Sequence, residues 1–123
     1  MRNKRSSKGF TLTELVVVMG IIAVIMAIMV PQLTKYRNRG YRAACINDCK
    51  NAITAGMNWY TANSDTASSP TLNDLRSFGF ASSPNVVAAI IDGSLANFTI
   101  QCTHVSGGQS VTMLVDGSYT SSN

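Results

Sequence analysis

Cysteine, histidine, proline and tryptophan are all scarce in these 123 residues, at three, one, three and one, and charged residues make up only 13%. Each scarcity excludes something. Three cysteines, Cys45, Cys49 and Cys102, are too few for a disulfide scaffold and are not spaced as zinc-finger ligands. The single histidine, His104, has no serine, cysteine or carboxylate placed with it by a recognisable motif, so no catalytic constellation stands out. It reads as a turn or surface residue. P-loop, dinucleotide and HExxH patterns are also missing, so the chain reads as a non-enzyme with no cofactor and no metal. The length leaves room for one compact domain at most.

What charge there is sits unevenly. The formal charge is +4 and the pI about 9.2, yet Arg2, Lys4, Arg5 and Lys8 supply four of the ten basic residues. From Phe10 onward six basic residues face six acidic ones, so net charge does not indicate a nucleic-acid partner.

From Phe10 to Val30 runs a 21-residue apolar stretch whose only charged side chain is Glu14. As a helix it is roughly 30 Å long, the thickness of a bilayer core. The four cations before it keep the N-terminus cytoplasmic and send everything after Pro31 outward. In an ordinary export signal the small residues of the cut follow the apolar segment, whereas here Gly9 precedes it, so cleavage there leaves the membrane helix on the mature chain.

From Gln32 to about Ala62 no proline occurs, and Cys45, Cys49, Ala52, Ile53, Gly56 and Tyr60 recur at helical spacings. They form one stripe of an amphipathic helix, with Arg42, Asn47, Lys50, Asn51 and Asn58 largely off it. Pro31 predicts a kink or loosened turn where this helix continues from the apolar one. A polar cluster from Asn63 to Pro70 ends the helix, and Thr71 to Phe78 reads as a short helical turn or loop. Three apolar runs, Val86 to Ile91, Phe98 to Val105 and Val111 to Val115, are separated by Asp92-Gly93 and Gly107-Gly108 and predict a three-stranded antiparallel meander. Ser83-Pro84 leaves a short helix open as the alternative for the first run. Alternation in the middle run puts Phe98, Ile100 and Cys102 on the apolar face, over the stripe carrying Cys45 and Cys49. The expected organisation is a leader at 1–9, a membrane or filament-core helix at 10–31, its amphipathic continuation at 32–62 and an α+β head at 63–123.

Lys8-Gly9-Phe10-Thr11-Leu12-Thr13-Glu14, the apolar run and Pro31 resemble the class III signal and N-terminal helix of type IV prepilins and pseudopilins. Pro31-Gln32, Tyr36-Arg37, Tyr41, Ala43-Ala44 and Asp48 extend the resemblance to type IVa pilins, particularly short pilins of metal-reducing bacteria. It covers roughly residues 8–52. It implies the pilin fold and cleavage between Gly9 and Phe10 by a membrane prepilin peptidase that also methylates the new Phe10 amine. It further implies polymerisation with copies of itself, driven by an inner-membrane platform and cytoplasmic ATPases. Assembly would use Leu12, Leu15 and Pro31, with Glu14 meeting the N-terminal ammonium of a neighbour; a carboxylate inside an apolar span is costly enough to demand such a use. The expected function is that of a major pilin in an extracellular filament supporting attachment, motility or DNA uptake. The alternatives are a type II secretion pseudopilin, or a minor pilin that initiates filaments or binds DNA. The expected location is the inner membrane, then the cell surface.

No cysteine pair encloses a C-terminal loop, which departs from the usual family pattern. Export instead allows a disulfide tying sheet to helix, Cys102 to Cys49 or to Cys45. Cys45, Cys49, Cys102 and His104 also have spacings that would share a zinc ion, a reading that an oxidising compartment disfavours. Phe10, Tyr36, Tyr41, Trp59 and Tyr60 suggest the conducting aromatic path associated with the pilins this helix resembles; interfacial anchoring and packing account for them more simply.

Overall fold

The structure, a computed structural model, describes residues 9–64 and 68–122. The leader cations and part of the Asn63–Pro70 connector lie outside the described residues. The chain divides into two compact units, Met1–Lys35 and Tyr36–Asn123, and one helix, α1 (Leu12–Ala62), contributes to both.

In the first unit every described residue from Gly9 to Lys35 is exposed, and none of the apolar stretch is buried. Its many valines and isoleucines are middling helix formers in water. In a bilayer the argument reverses, because a spanning backbone must satisfy its own N–H and C=O groups and the helix does so within one segment. By length and composition this helix is able to cross a membrane. It continues as one element through Pro31, and beside that residue the Thr34 hydroxyl donates to the Val30 carbonyl at 3.3 Å.

The second unit begins with α1 from Tyr36. Asn63 closes that helix, its backbone N–H and its side-chain amide both donating to the Trp59 carbonyl at 2.9 Å. Helix α2 (Leu72–Ser77) follows, then β1 (Val86–Asp92), β2 (Thr99–His104), β3 (Ser110–Leu114) and β4 (Tyr119–Ser122), an antiparallel meander in sequence order. Thr71 caps α2 through a reciprocal box with Asp74, which fixes as helix a segment whose composition left turn and loop both open. Val86–Asp92 is a strand, which resolves the ambiguity at Ser83-Pro84. The α+β architecture is thus the expected one, with a fourth strand added. β4 is polar and exposed throughout, so it carries no apolar period to reveal it.

The core lies between α1 and the sheet. Cys45, Cys49, Ala52 and Ala55 meet Phe98, Ile100, Cys102, Val111 and Met113, with Leu75 and Phe80 closing one side. Gly56 is glycine for a steric reason: a Cβ there would stand 2.6 Å from Phe98 Cε1. The buried stripe is shifted from the expected one. Asp48, Ala55 and Trp59 are buried, while Ile53 and Tyr60 flank the stripe half-buried. Asp48 is tolerated because its carboxylate accepts from the Ser83 N–H at 2.6 Å and the Ser83 hydroxyl at 2.8 Å. His104 also differs from its expected place at the surface. It is only 7% exposed and stacks on Tyr41 with ring centroids 4.1 Å apart. The strand alternation that buries Ile100 and Cys102 continues to His104, so the signal was present in the period.

Candidate processing and assembly site

The chain enters α1 through Gly9, Phe10 and Thr11. Gly9 is exposed, with no atom within 4 Å of where a Cβ would lie, and Phe10 is 86% exposed. A bond so placed, at an exposed glycine just ahead of a helix, is accessible to a protease cleft. Thr11 is the N-cap. Its hydroxyl accepts from the Glu14 N–H at 3.3 Å, while the Thr11 N–H and hydroxyl both donate to Glu14 Oε2, at 2.8 and 2.9 Å. This is a complete capping box, which closes orphan donors of the first turn at the point where the helix becomes apolar. Sequence reasoning passed over Thr11, although the Thr-x-x-Glu spacing ahead of an apolar run is itself the signature.

Both bonds to Glu14 fall on Oε2, and the hydrogen bonds it accepts among the described residues come from Thr11 alone. Phe10, Thr13, Glu14, Val17 and Val18 line a shallow, almost wholly apolar concavity on one side of the helix. Leu12 and Leu15 are exposed beside it, and Pro31 is exposed farther along the same unit. These residues share one bare helix rather than a closed pocket.

The cysteines are placed differently. All three are fully buried thiols. Cys45 donates to the Gln109 carbonyl at 3.6 Å, and Cys49 to the carbonyls of Val111 at 3.5 Å and Ile100 at 3.8 Å. Cys102 is the residue opposite Val111 in the ladder, so one carbonyl that Cys49 meets belongs to the cross-strand partner of Cys102. Interaction with the neighbouring Cys49 thiol, together with burial, pushes the Cys102 thiol far above the usual thiol range, and burial raises Cys45 as well. Cys49 and Cys102 thus lie in one buried core. His104 has turned to Tyr41, and no group of three or more metal-ligating side chains stands together among the described residues.

A bare apolar helix opening on an exposed Gly-Phe bond, joined in one chain to a small helix-on-sheet head, defines a class: chains with an N-terminal helix long and apolar enough to cross a membrane and a small α+β head. Residues 4–30 match the profile of the prokaryotic N-terminal methylation motif. The chain is 33% identical over 111 residues to the type IV wide pilus major component PilA4 of Thermus thermophilus, a match covering 85% of this chain and 78% of that protein. It is 32% identical over 92 residues to the competence protein ComGC of Bacillus subtilis, covering 72% and 92% respectively. This chain belongs to the type IV pilin family and is a structural, non-enzymatic subunit.

Proposed function

We propose that the chain is cut between Gly9 and Phe10, is N-methylated on Phe10, and polymerises as the major subunit of an extracellular type IV filament. The observation that carries this reading is the helix from Leu12 to Lys35, apolar for most of its length and without a single buried residue. In the inner membrane, lipid covers it. In the filament, the Leu12, Leu15 and following side chains of neighbouring copies cover one another, each large aliphatic burial worth about 1.5–3 kcal/mol against exposure to water outside the membrane. Glu14 then sets register: its second oxygen accepts the Phe10 ammonium of an adjacent copy while Thr11 holds the first. A prepilin peptidase and an ATPase-driven inner-membrane platform are the partners this route requires. The likeness to PilA4, a major pilus component, supports the copy number.

Intact-mass spectrometry of filaments sheared from the source cells tests the reading. It predicts a polymer of this chain beginning at N-methylated Phe10. Filaments that lack the chain, while the cut protein stays scarce in the membrane, would reject the major-subunit role. A second reading, a filament used in DNA uptake, draws on the likeness to ComGC, a competence protein. Loss of transformation in a deletion strain that still makes abundant filaments would favour it.

The cysteine contact supports a covalent proposal as well. On export, a disulfide-donating oxidant takes the hydrogens of Cys49 and Cys102, forming their S–S bond and two thiols of its own; Cys45 stays free under Gln109.

A further inference from the structure

The second unit carries a group of arginines at one end and two aspartates at the other. Arg37, Arg39 and Arg42 are exposed on the opening turns of its part of α1. Strand register shows which end of the sheet lies beside them. His104, the last residue of β2, stacks on Tyr41, and it pairs with Val86, the first residue of β1. The other end of the sheet is where Asp92 pairs with Thr99 and Thr99 with Leu114, so it carries Asp92 and, in the turn after β3, Asp116. That end lies by the far part of the helix, because the Tyr60 hydroxyl donates to the Gly93 carbonyl. The helix between Tyr41 and Tyr60 is about 28 Å long.

Among the described residues, the contacts of Asp92, Asp116 and Arg39 are with neutral groups. Asp92 accepts from the Ser94 N–H at 2.8 Å, and Asp116 from the Ser118 N–H at 2.8 Å and hydroxyl at 2.6 Å. These donors are neutral and hold both carboxyls below the usual aspartate range, hence ionised near neutral pH. At the opposite end the Arg39 guanidinium stands 5.8 Å over the Tyr36 ring rather than on a carboxylate. No lysine or arginine follows Arg76 in the sequence, so the strands that carry Asp92 and lead to Asp116 bring no cation of their own.

We propose that the arginine end of one copy, Arg37, Arg39 and Arg42, docks against the aspartate end of a second copy, Asp92 and Asp116, head to tail. This rests on the filament reading. A like-to-like contact would set arginines against arginines, whereas a head-to-tail contact matches opposite charges and, being heterologous, repeats without closing. A polyanion would suit the arginines equally well but would leave the aspartate end without a role.

The test uses the full chain in the source cells, with the mature protein in the membrane measured alongside as a check on folding and processing. The variants are R39D/R42D, D92K/D116K, and the two expressed together. Either reversal alone is expected to lower sheared filament mass by roughly tenfold or more, and co-expression to restore it to within about threefold as a mixed polymer, since copies with two acidic ends alternate with copies with two basic ends. Wild-type filaments should also shed mass as ionic strength rises. Silent reversals, or co-expression no better than the weaker single variant, would overturn the contact while leaving the filament reading standing. So would a result in which only R39D/R42D matters and its effect is lost retention of duplex DNA, which assigns the arginines to a polyanion. Wild-type cells without filaments of this chain would bring down the filament reading and this contact with it. If the lysine variants fail to reach the membrane, D92N/D116N should still lower filament mass, and normal mass from that variant would count against the proposal.

Discussion

The two stretches of α1 share one hydrogen-bonded backbone and have opposite environments. From Leu12 to Lys35 nothing is buried; from Tyr36 to Ala62 the helix buries Cys45, Asp48, Cys49, Ala52, Ala55, Gly56 and Trp59. The buried surface is the less hydrophobic of the two. It consists of small side chains, one hydrogen-bonded carboxylate and Trp59, while the exposed stretch carries valine, isoleucine, leucine and methionine. Burial within a chain thus depends on whether the chain supplies a partner surface, as the sheet does for the second stretch. On the filament reading proposed above, other copies supply it for the first. Substitutions in the two should therefore separate assembly from folding.

The largest effect is expected at the start of the bare stretch. Glu14→Ala should cut filament mass by roughly tenfold or more, since an unpaired ammonium in an apolar bundle costs several kcal/mol. Cleavage at Gly9–Phe10 should continue, and the melting of the head, followed in detergent by the fluorescence of Trp59, should not move. A parallel loss of head stability would break the comparison, because it would mean the two stretches fold as one.

The mirror experiment removes Phe98, which is fully buried against Gly56 and edge-on to Tyr60 at 5.9 Å. Phe98→Ala should cost about 3–5 kcal/mol of head stability. Asp48→Ala should cost about 1–3 kcal/mol by leaving the half-buried Ser83 N–H without its acceptor, and Asp48→Asn less, because an amide oxygen still accepts. Neither change should stop processing. The proposed Cys49–Cys102 bond ranks with these: closing so long a loop is worth about 2–4 kcal/mol. Its presence is read as a mass lower by the two thiol hydrogens in unreduced filaments, and Cys49→Ser should abolish the difference where Cys45→Ser does not.

How much of this was legible beforehand follows the same division. The bare stretch was readable because a long apolar run with one carboxylate has few physical interpretations, and the Gly9–Phe10 boundary lies at its edge. The helix end at Ala62 was readable from the polar cluster that follows it, and the β2 alternation from its period. The head was less so wherever burial depends on a local hydrogen bond rather than on hydrophobicity. Asp48 is inside because Ser83 meets it, and no periodicity announces Ser83. His104 was assigned by residue type to the surface, against an alternation that placed it inward. β4 was missed because a strand exposed on both faces has only backbone pairing to define it. Thr11 was missed for a different reason: a carboxylate in an apolar span reads as a charge for a neighbour before it reads as a cap for its own helix.

That cap has a counterpart in the head, and the pair gives the smallest and sharpest test. Thr71 and Asp74 repeat the box of Thr11 and Glu14 almost atom for atom, with the Thr71 N–H donating at 2.8 Å, its hydroxyl at 2.7 Å and the Asp74 N–H returning at 3.3 Å. The Thr71 hydroxyl first, then its N–H, holds the Asp74 carboxyl below the usual aspartate range. A carboxyl whose folded pKa is depressed adds stability that is fully present above its unfolded pKa and is lost as pH falls through the folded one. Head stability should therefore carry a small acid-side slope from Asp74, starting near the ordinary aspartate pKa and extending below it. Thr71→Val removes the hydroxyl and should flatten that slope while leaving filament mass unchanged at neutral pH. Thr11→Val should do the reverse, leaving the melting of the head alone at every pH and weakening assembly through the position of Glu14. If Thr11→Val assembles normally, the N-terminal box is only a helix cap, and Glu14 finds its neighbour without it.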